Sequence, residues 1–484
     1  FVMTPELELY SAVATASLDD KFYEKADNRL ARIRTLITKV DPLFAAQLAV
    51  YAREKMYLRT IPIVIAVELA KVHSGDSLVK NLVARIIQRV DEIPELLAYY
   101  EKANQRKGLK KLNKLSKQLQ KGLGASFNKF DEYQFAKYDR DAEIKLKDAL
   151  FIVHPKPKSE AQQAIFDKIV SGTLEKPYTW EVQMSRAGQK AYESDEEKQE
   201  AFAKKWEEMI DSGKMGYMAM LRNLRNFLEK GVSMPHLEKV AARLSNERQV
   251  ERSRQFPFRF LAAYRELKKT GFFGASGIME ALEKAMHASI ANIKGFDKDT
   301  KVVIACDMSG SMQRSISGQS TIMTYDVALV LGMLLQSRCE MVITGIFGEK
   351  WKRIQLPRTN VLQNADQLGR RLGEVGHSTN GYLIIKDLIR SKTVVDKVMI
   401  FTDMQLWNSG WGSEHIADLW PKYKRIAPNA RLYLFDLVGY GQAPLRIERS
   451  DVFMIAGWSE KVFEVMENIE KGENVLADIA RIEI

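Results

Sequence analysis

Cysteine is scarce in this sequence, and long apolar runs are missing. Two cysteines, Cys306 and Cys339, occur among 484 residues, which excludes a disulfide scaffold and is typical of a reducing compartment. No apolar run reaches the roughly 18 residues of a membrane span, and the opening FVMTPELELY lacks the charged and apolar regions of a signal peptide. With 46% apolar and 28% charged residues, the sequence predicts a globular protein of the cytoplasm.

Acidic residues are too few to balance the basic ones. Lys and Arg number 73 against 62 Asp and Glu, which gives a net charge of +11. Residues 1–300 hold 51 basic and 41 acidic residues, whereas residues 301–484 hold 22 and 21. A large globular protein can be basic for no functional reason, but this asymmetry favours a polyanion such as nucleic acid as the partner of the first part.

The spacing of apolar residues predicts two regions of different fold class. Residues 1–297 show apolar positions three and four apart, with few prolines and hardly any strand-like runs. This pattern predicts helix pairs stacked into a solenoid or a ring. Beyond Gly295, apolar runs at 301–307, 341–347, 396–403 and 431–438 alternate with helical stretches at 321–338 and 381–390. Residues 298–484 are therefore predicted to form a doubly wound α/β domain with a mostly parallel sheet.

Oxygen-bearing side chains lie at the ends of two predicted strands and in one of the loops. Asp307 ends the first strand, and Ser309 and Ser311 follow it. Asp403 ends the third strand, and Thr379 lies in the segment GHSTNGY. The carboxyl ends of parallel strands share one edge of a sheet, where ligands bind. Carboxylates and hydroxyls suit Mg²⁺, although Asp and Ser also cap helices and fill turns. The sequence predicts a magnesium site at this edge.

This set resembles the metal-ion-dependent adhesion site of the von Willebrand factor A domain, over about residues 298–484. The resemblance implies that the five residues hold a divalent ion, which a partner's carboxylate often completes. His377 and Ser378 offer an alternative, a nucleophile and its base. Adjacent residues rarely aim at each other and no third group orients this pair, so the sequence predicts no enzyme.

Basic residues cluster in three places in the first region. In Lys102–Lys121 they are spaced by three or four, which predicts one broad cationic face of a helix; the predicted RNA-binding residues there are Lys107, Lys110, Lys111, Lys114 and Lys117. Phosphate binding needs only such a face, but a solvated helix face has the same pattern. Lys147 and His154 form the second group, and Arg222, Asn223 and Arg225 the third. The third group either bridges helices structurally or lines a groove.

Eight segments in order resemble the TROVE-domain family of Ro autoantigen RNA-binding proteins and their bacterial relatives. They are KGLKKLNKLSKQLQ, KDALFIVHPKPKSE, YTWEVQMS, MAMLRNLRNF, FPFRFLAAYREL, VIACDMSGSM, GHSTNGY and FTDMQ. The resemblance implies a HEAT-like helical-repeat ring closed by the A domain, and a monomer. It also implies that single-stranded 3′ ends of misfolded non-coding RNA enter the central hole, that Y-type small RNA binds the basic outer surface, and that an exoribonuclease such as polynucleotide phosphorylase is a partner.

The resemblance also assigns residues by position. It implies that Lys110, Lys111, Lys147 and His154 belong to the outer surface, and that the segment from Arg222 to Arg225 lies nearer the ring interior. Phe151 stands where the family often has another cation. The leading hypothesis is a non-catalytic RNA-binding protein of RNA quality control. The alternative is a metal-dependent protein-binding scaffold without RNA.

Overall fold

The computed structural model describes residues 4–15, 26–105, 115–316, 318, 320–404, 406–407, 414–438, 445–458, 462–471 and 473–484. Up to Asn292 these residues form helices and no strand. The helices are α1 Pro5–Thr15, α2 Ala26–Ile37, α3 Pro42–Glu54, α4 Thr60–Val72, α5 Leu78–Ile86, α6 Glu92–Ala103, α7 Lys117–Phe127, α8 Glu132–Tyr138, α9 Leu146–Val153, α10 Glu160–Ser171, α11 Trp180–Gly188, α12 Asp195–Asp211, α13 Tyr217–Arg222, α14 Leu224–Glu229, α15 Met234–Leu244, α16 Glu247–Ser253, α17 Pro257–Lys268 and α18 Ala275–Ser289.

Strands and helices alternate in the part of the chain that follows. The elements are β1 Lys301–Asp307, α19 Thr324–Leu335, β2 Met341–Phe347, β3 Trp351–Ile354, α20 Val361–Leu368, α21 Tyr382–Ser391, β4 Lys397–Thr402, α22 Ile416–Lys424, β5 Arg431–Asp436, β6 Leu445–Arg449, β7 Val452–Ala456, α23 Val462–Lys471 and α24 Glu473–Ala480. The predicted fold class, helical repeats joined to a doubly wound α/β region, is therefore confirmed.

The seven strands form one sheet in the order β3-β2-β1-β4-β5-β7-β6. The five central strands are parallel, and both edge strands are antiparallel to their neighbours. The four predicted strand runs correspond to β1, β2, β4 and β5, because each is a buried apolar run. The sequence analysis missed the edge strands, which are short and partly exposed.

The described residues divide into two compact units. One unit comprises Gln183–Glu467 and so combines helices of the first region with the sheet. The other unit comprises the described residues before 183 and Asn468–Ile484. The sequence-based boundary between 297 and 298 stays a prediction, since the chain changes from helices to strands there but the compact units are divided elsewhere.

In the second unit, close helix packing depends on a glycine. A Cβ atom at Gly122 of α7 would lie 2.6 Å from Cβ of Val83 on α5, so the two helices approach as closely as they do because residue 122 has no side chain. By contrast, a Cβ atom at Gly124, two residues further on, would have no neighbour closer than 3.8 Å.

In the first unit, charged side chains from α17 and α18 reach the helices that cover the sheet. The guanidinium of Arg265 donates to both carboxylate oxygens of Asp326 on α19 and, from Nε at 3.0 Å, to Asp366 on α20. Burial alone would lower the pKa of Arg265. The hydrogen bonds and negative charges of the two carboxylates outweigh the effect of burial, so the pKa of Arg265 is raised. The carboxylate of Glu283 accepts from the backbone N–H groups of Val361 and Leu362 at the start of α20.

Candidate functional site

Asp307 ends β1 and is fully buried. Its Oδ1 accepts from the backbone N–H of Ser309 at 2.8 Å, and its Oδ2 accepts from the hydroxyl of Thr402, the last residue of β4, at 2.8 Å. Burial raises the pKa of Asp307, the hydrogen bonds oppose that rise, and the charge of nearby Asp403 adds to it. Two neighbouring strand ends therefore hold the carboxylate in place.

The two serines of the loop after β1 are hydrogen-bonded to each other. The hydroxyls of Ser309 and Ser311 lie 3.0 Å apart. Ser309 is buried, whereas Ser311, in the 3₁₀ turn Gly310–Met312, is exposed. The loop therefore presents the hydroxyl of Ser311 at the surface, in contact with the buried hydroxyl of Ser309.

Asp403 already has a cationic partner within the chain. Its Oδ2 accepts from Nη2 of Arg314 at 2.7 Å, and its side chain is 8% exposed. Arg314 lies three residues beyond Ser311, so the loop after β1 reaches across to the end of β4. The structure thus brings Asp307, the serines and Asp403 to one edge of the sheet, as the sequence predicted.

The loop that carries Thr379 is fixed at the same edge. The backbone N–H of Gly373 donates to the carbonyl of Met308 at 2.9 Å, and that of Asn380 donates to the carbonyl of Gly348, just after β2, at 3.0 Å. Within the described residues, however, no hydrogen bond joins the Thr379 hydroxyl to the other four predicted ligands. The loop is placed as predicted, and Thr379 itself is only half-buried.

The side chains at this edge are suited to a hard cation. Carboxylate and hydroxyl oxygens are the ligands that Mg²⁺ prefers. In the described part of the chain, no cationic side chain pairs with buried Asp307, although Asp403 lies near it. No group of three or more His, Cys, Asp or Glu residues among those described could hold a metal ion. A metal site here would therefore depend on hydroxyl ligands as well as on the two carboxylates.

The predicted cationic face of Lys102–Lys121 is not on one continuous helix. Lys107, Lys110, Lys111 and Lys114 lie outside the described residues. The helix α6 ends at Ala103, Gln105 has a positive φ of 53°, and α7 begins only at Lys117 after the N-cap Ser116. The expectation of an unbroken face was therefore wrong, because Leu115 and Ser116 are not helical.

Lys117 on α7, Lys147 on α9 and His154, directly after α9, are exposed. Lys147 and Phe151 are four residues apart and share one side of α9, whereas His154 follows the helix as its C-cap with a φ of 48°. All three are exposed. Gln120, one turn after Lys117, donates from Nε2 to the carbonyl of Val153 at 3.0 Å and so joins α7 to the end of α9. No carboxylate among the described residues pairs with either lysine. We call Lys117, Lys147 and His154 the α7–α9 basic face.

The third basic group separates into a structural residue and two exposed arginines. Asn223 is buried between α13 and α14, where its Nδ2 donates to the carbonyl of Ala219 and its Oδ1 accepts from Asn226, both at 2.8 Å. Arg225 is exposed and forms an ion pair with Glu229, which raises the pKa of Arg225. Arg222 is exposed and has no partner within the described residues.

A cavity of about 300 Å³ lies between α13, α14 and α17. Three arginines line it, Arg222, Arg225 and Arg259, together with Glu266 and an apolar floor that includes Leu224. Sequence reasoning missed Arg259, which is exposed and, among the described residues, unpaired. Arg259 and Glu266 are seven residues apart and therefore lie on one side of α17. Only the packing of α17 against α14 shows that this side faces Arg222. We call this the arginine cavity.

The model of the TROVE domain matches residues 9–202 and 174–294. The chain belongs to the TROVE-domain family. Two curated relatives are telomerase protein component 1 of Mus musculus, 47% identical over 96 residues, and that of Rattus norvegicus, 46% identical over 96 residues. Each alignment covers 20% of this chain and 3% of the relative, so the chain spans only a small part of these proteins.

The crystal structure of the Deinococcus radiodurans RO (RSR) protein is similar along nearly its whole length. It superposes with a TM-score of 0.69 at 17% identity, and covers 99% of this chain and 100% of that chain. At this identity the likeness shows the fold alone. It agrees with the predicted fold class of helical repeats joined to a doubly wound α/β domain.

The TROVE match separates the two groups of predicted site residues. The α7–α9 basic face and the arginine cavity lie inside the matched residues. The five predicted metal ligands begin at Asp307 and lie beyond residue 294, where the match ends. Family membership is therefore relevant to the basic residues. For the predicted metal ligands at the edge of the sheet, the only support is the geometry of that edge.

Proposed function

We propose that this TROVE-family chain is a non-catalytic RNA-binding protein that acts in RNA quality control. The observation that carries the proposal is the arginine cavity, where Arg222 and Arg259 are exposed and lack acidic partners among the described residues. Arginines that form no ion pair favour phosphate groups, which they bind through planar donors. The excess of basic residues before residue 301 supports the same partner.

The two basic areas suit two parts of an RNA. We propose that an unpaired 3′ end of misfolded non-coding RNA binds in the arginine cavity. Duplex RNA, including Y-type small RNA, would contact the α7–α9 basic face through its phosphates. An exoribonuclease such as polynucleotide phosphorylase would then act on the bound RNA. The support for these finer assignments is the order of the family segments in the sequence and the exposure of the basic side chains.

The test is binding of a labelled hairpin RNA with a single-stranded 3′ tail, beside the same hairpin with a blunt end, across a salt series. Affinity should fall steeply with salt, and each phosphate contact removed should reduce the slope of log K against log salt by about 0.7–0.9. Arg222→Glu with Arg259→Glu should remove the preference for the tail. The double variant Lys117→Glu, Lys147→Glu should weaken the binding of both RNAs by the same factor.

A matched control is Lys204→Glu, since Lys204 is exposed on α12 but already paired with Glu200. This variant should leave both affinities nearly unchanged. If neither RNA bound the wild-type chain at low salt, the proposal would be wrong. The chain should also leave the RNA at full length when Mg²⁺ is present; shortening that Asp403→Ala abolished would contradict the non-catalytic assignment.

We propose in addition that the edge of the sheet binds a divalent cation, most simply Mg²⁺. Asp307, Ser309, Ser311, Thr379 and Asp403 would hold it, and the ion would supply a coordination position for a carboxylate of a protein partner. The supporting observation is the buried Asp307, which lies near Asp403 and has no cationic partner among the described residues.

Calorimetry with Mn²⁺ tests this second proposal separately from RNA binding. The wild-type chain should bind one ion, and Asp307→Ala should abolish that binding while RNA affinity is unchanged. A wild-type chain that binds no Mn²⁺ at millimolar concentration would exclude the site. Capture of a partner should then be compared with and without EDTA, because no difference would exclude metal-mediated contact.

A further inference from the structure

The turn between α17 and α18 presents an unusually exposed aromatic side chain. Phe273 is 91% exposed and its neighbour Phe272 is 40% exposed, whereas the other described phenylalanines, apart from Phe151, are mostly buried. Met234, at the start of α15, is 43% exposed. Apolar side chains this exposed mark a binding surface when they lie together.

The turn that carries Phe273 is held in a defined conformation. Gly274 has a φ of +89°, and a Cβ atom there would lie 2.9 Å from Leu237 on α15, so only glycine fits. The backbone N–H of Ala275 donates to the carbonyl of Phe272 at 3.2 Å. The hydroxyl of Thr270 donates to the carbonyl of Leu267 at 2.7 Å. The ring of Phe273 is therefore displayed from a fixed turn.

This turn lies at one end of the arginine cavity. A Cβ atom at Gly274 would be 3.9 Å from Cδ2 of Leu228 on α14. Leu228 is three residues beyond Arg225, which lines the cavity, so the two lie about 5 Å apart along the helix axis. Leu267, three residues before Thr270, also lines the cavity. Two of the three helices that form the cavity, α14 and α17, thus end near the turn that presents Phe273.

The chemistry of the combined surface selects its occupant. Arg222 and Arg259 offer donors for anionic groups, and Phe273 offers the flat face of a ring. Single-stranded nucleic acid has both complements, because its phosphates bind arginines and its unpaired bases stack on aromatic side chains. An apolar segment of a protein would cover the ring but would leave the arginines without counter-charges.

We propose that Phe273 is a stacking platform for an unpaired base of single-stranded RNA. It would act at one end of the cavity in which Arg222 and Arg259 bind the phosphates. This inference rests on the proposed function and names a contact within it. The base identity is not read, since every base has a face on which a ring can stack. The contact therefore requires an unpaired nucleotide and tolerates any sequence.

The test compares Phe273→Ala, Phe273→Leu and Phe273→Trp on the tailed and blunt hairpins, with a tail of about eight unpaired nucleotides. Phe273→Ala should weaken binding of the tailed RNA about 5- to 150-fold and leave the blunt RNA unchanged. Phe273→Trp should retain the affinity, and Phe273→Leu should not, because it keeps apolar bulk without a ring. Tyr133→Ala is the control, an exposed aromatic of α8 in the other compact unit.

A spectroscopic readout reports stacking without relying on affinity. With 2-aminopurine at each tail position in turn, one position should be quenched by the wild-type chain and by Phe273→Trp, but not by Phe273→Ala. An abasic site at that position should weaken wild-type binding and should have little further effect on Phe273→Ala.

The outcomes separate this inference from the proposed function. If the wild-type chain bound neither RNA, both would be wrong. If it preferred the tailed RNA and Phe273→Ala kept that preference, only the stacking platform would be wrong, and the exposed ring would be left to a protein partner. Equal weakening of tailed and blunt RNA by Phe273→Ala would also overturn it. Phe273 is almost wholly exposed, so thermal unfolding of the alanine variant should match that of the wild type.

Discussion

Replacing Arg265 with methionine should destabilise the unit Gln183–Glu467 by about 3–5 kcal/mol. The Asp326 carboxylate is fully buried, and Arg265 is 12% exposed. Without the guanidinium, the backbone N–H of Met323, at 2.7 Å, is the main donor left to that carboxylate. The carbonyl of Thr321 and the carboxylate of Asp366 would lose donors as well. A loss of this size is a large part of the roughly 5–15 kcal/mol that stabilises a typical domain.

The assay is urea unfolding followed by circular dichroism and by tryptophan fluorescence. Arg353→Met is the matched control, because the Arg353–Asp387 pair has a similar distance of 2.8 Å but Arg353 is 40% exposed; such a pair contributes at most about 1 kcal/mol. The double variant Arg265→Met, Asp326→Asn should lose less stability than Arg265→Met alone, since it leaves no uncompensated charge. A loss below about 1 kcal/mol for Arg265→Met would refute the reasoning.

Three further predictions concern other parts of the molecule. Arg314→Ala should strengthen Mn²⁺ binding about tenfold in calorimetry, because a charge-assisted hydrogen bond no longer competes for Asp403; unchanged or weaker binding would contradict this. Gly122→Ala should destabilise the chain by about 1–3 kcal/mol through overpacking against α5. Gly124→Ala, whose new methyl group meets no close neighbour, should stabilise it by about 0.5–1 kcal/mol. Urea unfolding compares the two variants, and equal effects would exclude the clash as the cause. Hydrogen bonds from Arg371 and Lys352 lower the pKa of Glu374 to about 2. The stabilisation that Glu374 provides is thus present above the unfolded pKa near 4.3 and is lost as the pH falls towards 2. Glu374→Gln should therefore lower the free energy of unfolding at pH 7 by under about 1 kcal/mol, and the variant and the wild type should be equally stable in acid. A stability difference that did not change with pH would exclude this titration.

The sequence predicted the central strands and the edge where they end, because each prediction depended on a local pattern. Runs of buried apolar residues predicted β1 and β2 with their observed bounds. The alternation of strands and helices then placed Asp307 and Asp403 at a common edge. The short edge strand β3, of four residues, was missed because its pattern is too brief to distinguish from a turn.

Contacts between distant parts of the chain could not be predicted. Arg314 and Asp403 are 89 residues apart, and nothing in the spacing of either shows that they meet. Arg259 and Phe273 could be identified as candidate binding residues only from the packing of α17 against α14. Asn223 illustrates the opposite case: its neighbours suggested a binding residue, but its side chain is buried in hydrogen bonds between two helices.

The two antiparallel edge strands bear on how the protein behaves when many copies are close together. An open sheet edge is a template on which another copy can add a strand, and this leads to aggregation. Here β3 presents exposed Lys352 and Arg353 at one edge, while β6 has exposed Arg446 and an irregular register near Ile447 at the other. Pairing with another copy would bury these charged side chains and their acidic partners, and an irregular strand offers poor pairing. At high concentration the sheets of neighbouring copies should therefore remain separate, and the protein should stay dispersed where an apolar edge would polymerise.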